Sequence, residues 1–187
     1  MPDPFAPLAE FQLNLSASVS MTVAEFLTKC DQAGIHGYVC GGAVRDCVLG
    51  QPFNDVDFTF HHEISAIRDW MVETFGTPIR FADLQFGLIK VGRDDASEFD
   101  ITMWRSTESI GDAERLAGVH YQLTDSLLAD ARNRDLSMNC LFWHPDEGCV
   151  DPVGHGLEDA QARRIRIAAD TRKQRVDYRL ALRALLF

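Results

Sequence analysis

Apolar and polar positions alternate with two periods along this chain, and the places where the period changes mark its elements. Val23–Gln32 (VAEFLTKCDQ) carries apolar residues at helical spacing and predicts a helix ending near Gly34. Gly37–Cys40 is a short apolar strand running into Gly41-Gly42, and residues 43–49 read as a helix closed by Gly50. After the turn at residues 51–54, residues 55–60 alternate Asp, Val, Asp, Phe, Thr, Phe, the pattern of a strand with one wet face. Ile64–Phe75 is amphipathic with a helical period. Residues 87–91 and 98–104 read as two strands of a hairpin turning around Gly92-Arg93-Asp94-Asp95. The stretch 106–125 is polar and poorly periodic, which predicts a mobile loop. Residues 128–142 read as helix or helix plus strand, and a short strand ends at residues 149–152. Residues 173–187 have a clear helical period in Val176, Leu180, Leu182, Leu185 and Leu186. Strands and helices in this mixed order predict an α+β fold, not a doubly wound sheet. Residues 1–22 lack a period and read as an N-terminal arm, 23–160 as the main globular domain, and 161–187 as a basic C-terminal helical segment.

With 187 residues, 46% of them hydrophobic, the chain is long enough for one domain with a real core. No apolar run approaches the roughly 20 residues needed to span a bilayer, and residues 1–21 lack the basic start and apolar stretch of a secretory signal. Five scattered cysteines without a CxxC pair point to reduced thiols and a cytoplasmic setting. The net charge of −10 is uneven: residues 161–187 hold eight Lys/Arg against two Asp, a local +6, so the remainder carries −16. Such a body repels a polyanion, and only the basic stretch attracts one, unless that stretch is simply a solvated helix face.

Chemistry concentrates at Asp55 and Asp57. Two apart on a strand, they leave one face roughly 6–7 Å apart at the backbone. Carboxylates converging from there can grip hard cations about 3.5–4 Å apart, the two-metal arrangement for in-line phosphoryl transfer. An Asp-x-Asp alone is common. Here a Gly-Gly turn after a strand opens directly into a helix, offering backbone N–H groups and a positive helix end to a phosphate chain. Arg45 and Asp46 lie in that helix's first turn. A third acid should come from another strand; Asp100 is the first candidate, with Glu98 as the fallback on the same face. His61-His62-Glu63 reads as a polar loop, since no further His or Cys lies at ligand spacing. Trp70, Trp104 and Trp143 read as core.

The run Gly41-Gly42-Ala43-Val44-Arg45-Asp46-Cys47-Val48-Leu49-Gly50, followed by Asp55-Val56-Asp57, resembles the signature of class II tRNA nucleotidyltransferases (CCA-adding enzymes) and bacterial poly(A) polymerases in their head domain. Arg134-Asp135-Leu136-Ser137-Met138-Asn139-Cys140 resembles the family's Arg-Asp element, and Asp151-Pro152 with Gly156-Leu157-Glu158-Asp159 its following turn. The resemblance implies a polymerase-β-like head, a small mixed sheet backed by helices, with Mg²⁺ at Asp55 and Asp57 and Asp100 as third carboxylate. It further implies that Gly41, Gly42 and Arg45 hold the triphosphate of an NTP, ATP or CTP, and that Arg134 with Asp135 reads the ribose. Asn139 and Asp177 join the nucleotide-binding set, and Arg105 stands at the arginine position after Asp100. Implied activity is transfer of a nucleoside monophosphate to an acceptor, an RNA 3′ end; a nucleotide-holding module without transfer, or hydrolysis at the same metals, are the alternatives. The chain departs from the pattern at Asn133, near His155, and at Val176 and Leu180, where the base-reading element keeps only Asp177; weak base selectivity is the expectation. The last helix, ending Leu-Leu-Phe, is expected to pair with a copy of itself or another chain, or to begin a neck.

Overall fold

The computed structural model describes residues 3–92, 99–106 and 121–168. Helix α2 (Val23–Gln32) forms where the helical period predicts it. It is started by Thr22, whose hydroxyl accepts from the Glu25 amide while the Glu25 carboxylate accepts from the Thr22 amide. The residues before it are built into the core: α1 (Ala6–Ala9) and the hairpin of β1 (Gln12–Asn14) with β2 (Ser20–Thr22) bury Leu8, Leu13 and Leu15 completely or nearly so.

A seven-stranded sheet carries the rest. Its strands are β3 (Gly37–Cys40), β4 (Asp57–Phe60), β5 (Ile79–Asp83), β6 (Leu88–Val91), β7 (Phe99–Met103), β10 (Phe142–His144) and β11 (Gly148–Val150). The two-residue β8 (Arg105–Ser106) and β9 (Gln122–Leu123) form a separate ribbon. The sheet order is β11-β10-β3-β4-β7-β6-β5, antiparallel throughout except for the parallel pair β4–β7, which makes it mixed. Between these strands run α3 (Gly42–Leu49), α4 (Ile64–Phe75), α5 (Leu127–Ala131), a 3₁₀ turn at Ser137–Asn139 and α6 (Gly156–Gln161).

Alternation along β3 divides the core. Val39 faces the larger cluster, where Phe26 of α2 meets Phe58 edge-on with ring centroids 5.2 Å apart and Ile67 and Met71 of α4 close over them. Tyr38 and Cys40 face a smaller cluster with Trp104, Ala131, Cys140 and Phe142. Full burial of a side chain such as Phe26 contributes about 1.5–3 kcal/mol, so these faces fix which way each strand presents its polar residues.

The structure departs from the sequence expectations at three places. The strand expected over residues 55–60 begins at Asp57, because its antiparallel partner β3 ends at Cys40, opposite Asp57, and so gives Asp55 and Val56 no pairing on that side. It has no continuous wet face either: Phe58, Thr59 and Phe60 are all buried, since β4 is central and covered on both sides. Strand β5 carries no sequence signal, being an edge strand whose middle residues are exposed. The 128–142 stretch takes the second of its two readings, helix and then strand, as α5 and β10 with the 3₁₀ turn between them. The 88–91 and 99–103 strands pair antiparallel as expected. The turn at 93–98 with Glu98, residues 107–120 of the expected loop, and the expected helix at 173–187 with Asp177, Val176 and Leu180 lie outside the described residues.

Trp104 and Trp143 are buried and Trp70 is half-buried. All five cysteines are free thiols, and burial raises those of Cys40, Cys47 and Cys149 to about 11 and that of Cys140 to about 12, which keeps them protonated near neutrality. Among the described residues no helix is long and apolar enough to cross a membrane.

Candidate active site

Strand register places the candidate residues at one end of the sheet. Cys40, the last residue of β3, stands opposite Asp57, so the Gly41-Gly42 turn leaves the sheet beside the start of β4. The Cys40 thiol donates to the Asp57 carbonyl oxygen at 3.5 Å and ties the two ends together. Gly41 is needed for its backbone: at φ +77 and ψ −130 it caps α3 in a conformation that side chains avoid. The first amides of α3 are therefore delivered at the edge that carries Asp57.

Asp100 comes from β7, the parallel neighbour of β4. It alternates with the buried Phe99 and Ile101 and so points to the half-open face. The Asp57 carboxyl, although open to water, is pushed up to about 6: surrounding protein limits its hydration, and the Asp100 and Asp55 carboxylates repel its charge. An Asp100 backbone N–H bond and the Arg134 guanidinium lower it in part. Asp55, in the turn before β4, is thus close enough to act on Asp57 although it is not in the strand. Asp57, with the two carboxylates that repel its charge, forms a donor set suited to hard cations, which relieve that repulsion.

Sequence reasoning missed Lys90. It lies opposite Asp100 across the β6–β7 pair and donates to both carboxylate oxygens, at 3.0 and 2.8 Å. Its signal was a lone lysine in an otherwise apolar strand, facing the same side as the acid across the hairpin.

Arg134 and Arg45 occupy opposite flanks of the glycine turn. The Arg134 guanidinium lies 4.9 Å over the Phe142 ring, donates to Asp130 at 3.1 Å, and approaches Gly41 closely enough that a Cβ there would touch it at 3.7 Å. Asp130, fully buried and also missed from sequence, additionally accepts from the Arg105 amide at 3.0 Å. Arg45 donates through Nε to Asp46 at 2.8 Å and through a terminal nitrogen to the Asn139 side-chain oxygen at 2.7 Å. Asn139 in turn donates to Asp135 at 2.9 Å, whose same oxygen accepts from the Leu136 amide. Arg45, Asn139 and Asp135 thereby form one chain of contacts between α3 and the 3₁₀ turn.

That turn is anchored from behind by Asp159 of α6. The Asp159 side chain has no exposed surface; it accepts from the Ser137 hydroxyl at 2.7 Å, from Arg164 at 3.1 Å and from Arg166 at 3.0 Å. Burial works to raise its carboxyl, but the Ser137 hydroxyl and the two arginines outweigh it and hold Asp159 below the ordinary carboxylate range. Two arginines of the basic stretch are thus committed to an internal carboxylate. Gly156 allows this packing, since a Cβ there would come within 2.6 Å of the Ser137 carbonyl oxygen.

The raised Asp57 carboxyl has a consequence for stability. A folded value of about 6 against 3.8 means that the folded chain keeps a proton that the unfolded chain releases. The contribution is full at low pH and is lost as pH rises through about 6. In the absence of divalent ions, Asp57→Asn is expected to unfold at a higher temperature than wild type at neutral pH. Solvent screening limits the gain to about 1 kcal/mol, or roughly 2–4 °C. Melting curves at low and neutral pH check it; a variant melting below wild type at neutral pH would contradict the placement of the three acids.

A mixed sheet with helices packed against it is also the fold of solved CCA-adding enzymes. The Bacillus stearothermophilus enzyme in complex with CTP superposes with a TM-score of 0.65 at 21% identity, over 100% of this chain and 38% of that one. A tRNA nucleotidyltransferase complexed with a primer tRNA and an incoming ATP analog gives a TM-score of 0.61 at 21% identity, over 84% of this chain and 42% of that one. At such identity the likeness is one of fold. In sequence, the CCA-adding enzyme of Leuconostoc mesenteroides is 32% identical over 165 residues, 86% of this chain and 38% of the relative. That of Leuconostoc citreum is 31% identical over 153 residues, 80% of this chain and 35% of the relative. The chain thus spans less than half the length of these relatives. The poly(A) polymerase head domain model matches residues 37–166, and the chain belongs to that family.

Proposed function

We propose that this chain is a nucleotidyltransferase head that moves a nucleoside monophosphate from an NTP to an RNA 3′ end. The observation that carries the reading is the meeting of Asp55, Asp57 and Asp100 beside the Gly41-Gly42 turn, expressed in the raised Asp57 carboxyl. Nucleotidyltransferases of this family are metal-dependent, and Mg²⁺ is the ion this proposal names. Asp55, Asp57 and Asp100 would hold the cations, whose charge, when bound, activates the attacking hydroxyl and stabilises the departing pyrophosphate. Gly41 and Gly42 present amides to the triphosphate, with Arg45 held in place by Asp46 and Asn139. Arg134, Asp135 and Asn139 take the ribose side, and the Phe142 ring beneath Arg134 keeps its guanidinium plane fixed. Asp177 is retained as a nucleotide contact by resemblance alone.

In this proposal residues 23–160 form the head and 161–187 the start of a basic helical extension, which offers the RNA its attractive charge and a partner or second copy its apolar stripe. A cytoplasmic setting belongs to the same reading. Incubation of the chain with each labelled NTP and Mg²⁺, with and without total RNA, is expected to release pyrophosphate and label RNA only when both are present. Metal-dependent nucleotide binding without turnover would replace the transferase with a holding module, and NTP-independent RNA cleavage with a nuclease.

A further inference from the structure

A second group of ligand-type side chains lies at the opposite end of β3 from the glycine turn. Asp31 sits in the last turn of α2, His36 in the link to β3, and His144 at the end of β10. One donor atom from each lies within 4.8 Å of the others. Asp31 bridges the two rings, with Oδ1 at 2.9 Å from His36 Nδ1 and Oδ2 at 3.1 Å from His144 Nε2. Four residues of strand, roughly 10 Å at the usual rise, separate this end from Gly41, so the cluster is apart from the proposed active site.

Three observations distinguish it from a surface ion pair. First, His144 is held on the sheet with its side chain 2% exposed, and its Nε2 points into the cluster without a well-aligned hydrogen bond, despite the nearby Asp31 oxygen. A buried imidazole nitrogen with no aligned partner is costly unless something completes it. Second, the other nitrogen of His36 is already oriented: Nε2 lies 3.3 Å from a Glu147 carboxylate oxygen and 3.2 Å from the Tyr38 hydroxyl, which itself donates to Glu147 at 2.8 Å. A carboxylate behind a ligating histidine fixes the ring and raises its basicity. Third, the ligands come from three separate elements, while the Asp31 and His36 side chains, 31% and 40% exposed, leave a way in from solvent.

We propose that Asp31, His36 and His144 form a binding site for a borderline divalent transition metal, Zn²⁺ first among them, with Glu147 orienting His36. Two imidazoles and a carboxylate suit zinc and not the hard cations of the three-aspartate cluster. A tetrahedral zinc centre spaces its nitrogen and oxygen donors by about 3.3 Å, so the contacts of Asp31 with His36 and His144, made through different oxygens, open by a few tenths of an ångström, while donors as much as 4.8 Å apart draw together around the ion. Loading through Nε2 requires His144 to carry its proton on Nδ1, which breaks the long 3.3 Å contact from the Asp146 amide. The metal ties the end of α2 to β10 across more than a hundred residues of chain, a structural clasp on the sheet.

The test uses the full chain in an Asp57→Asn background, which removes the competing carboxylate centre, stripped with a chelator and titrated with Zn²⁺ alone. The expected result is one bound zinc per chain, retained in excess Mg²⁺, with a rise in melting temperature. Asp31→Asn and His36→Ala, both at partly exposed positions, are expected to stay folded and to weaken zinc binding by about 100-fold or more, and Glu147→Gln by about 10–100-fold. Co²⁺ in place of zinc should give the absorption of a low-coordinate nitrogen- and oxygen-ligated ion, lost in His36→Ala. Absence of zinc uptake by the folded chain would overturn the proposal, as would uptake unchanged by both Asp31→Asn and His36→Ala.

Discussion

Asp55→Asn and Asp57→Asn are each expected to leave a folded protein with transfer reduced by about a thousandfold or more, equivalent to roughly 4 kcal/mol of barrier. On the proposed reading, the negative charge of these carboxylates is what places the cations. Each amide removes one ligand charge from a set whose members act on one another, as the raised Asp57 carboxyl records. Asp100→Asn is expected to lose less, though still orders of magnitude. Asp100 already pairs with Lys90 at 2.8 Å, so part of its charge is offset within the protein. Single-turnover transfer with saturating NTP and Mg²⁺, together with melting curves for folding, measures this. Near wild-type transfer in folded Asp55→Asn or Asp57→Asn would place the metal centre elsewhere.

The largest expected effect on stability lies away from the carboxylates, at Asp159. Removing the carboxylate in Asp159→Ala leaves the Ser137 hydroxyl, Arg164 and Arg166 without their shared partner and opens a gap behind the 3₁₀ turn. Arg164 and Arg166, 48% and 42% exposed, can turn to water, so the cost falls mainly on the Ser137 hydroxyl and the gap. About 1–3 kcal/mol is expected, a sizeable share of the roughly 5–15 kcal/mol that holds a domain together. The depressed carboxyl also sets the pH dependence. Its contribution is present above the ordinary carboxylate value of 3.8 and is lost as pH falls through the lowered folded value. Asp159→Asn should therefore flatten the acid limb of the stability curve. Urea unfolding at neutral and acidic pH tests both statements, and midpoints within about 0.5 kcal/mol of wild type would remove Asp159 from its anchoring role. Because Asn139 lies in the same 3₁₀ turn, Asp159→Ala should also loosen the Arg45–Asn139–Asp135 chain and weaken NTP binding.

Much of this architecture was legible because it depends on near neighbours in sequence. The helices at Val23–Gln32 and Ile64–Phe75 follow from a period of 3.6 and the strand at Gly37–Cys40 from its short apolar run before Gly41-Gly42, and they appear with the expected ends. The Gly-Gly turn was equally readable, because a strand, a helix start and a positive φ coincide within a few residues. The strand start at Asp57 was not, since it is decided by where β3 stops and not by residues 55–60 themselves. The same holds for β5, an edge strand held only by pairing with β6, whose exposed middle gives no alternation to read.

By itself, the sequence determined the α+β class, the family resemblance that the head-domain match to residues 37–166 bears out, and the residue types on which the candidate chemistry draws. Only the tertiary structure decided which of them meet. Asp57 and Asp100 converge because β4 and β7 pair in parallel, Lys90 joins them because β6 lies beyond β7, and Asp130 underlies Arg134 through the packing of α5. Asp31, His36 and His144 are invisible as a set in the sequence because more than a hundred residues separate the last from the others, and strand order alone brings them together. Local periodicity reports which face of an element is apolar, whereas convergence of side chains from distant elements depends on register and strand order. Those are fixed by the burial of both sheet faces at once, through contacts that no short stretch of the chain contains.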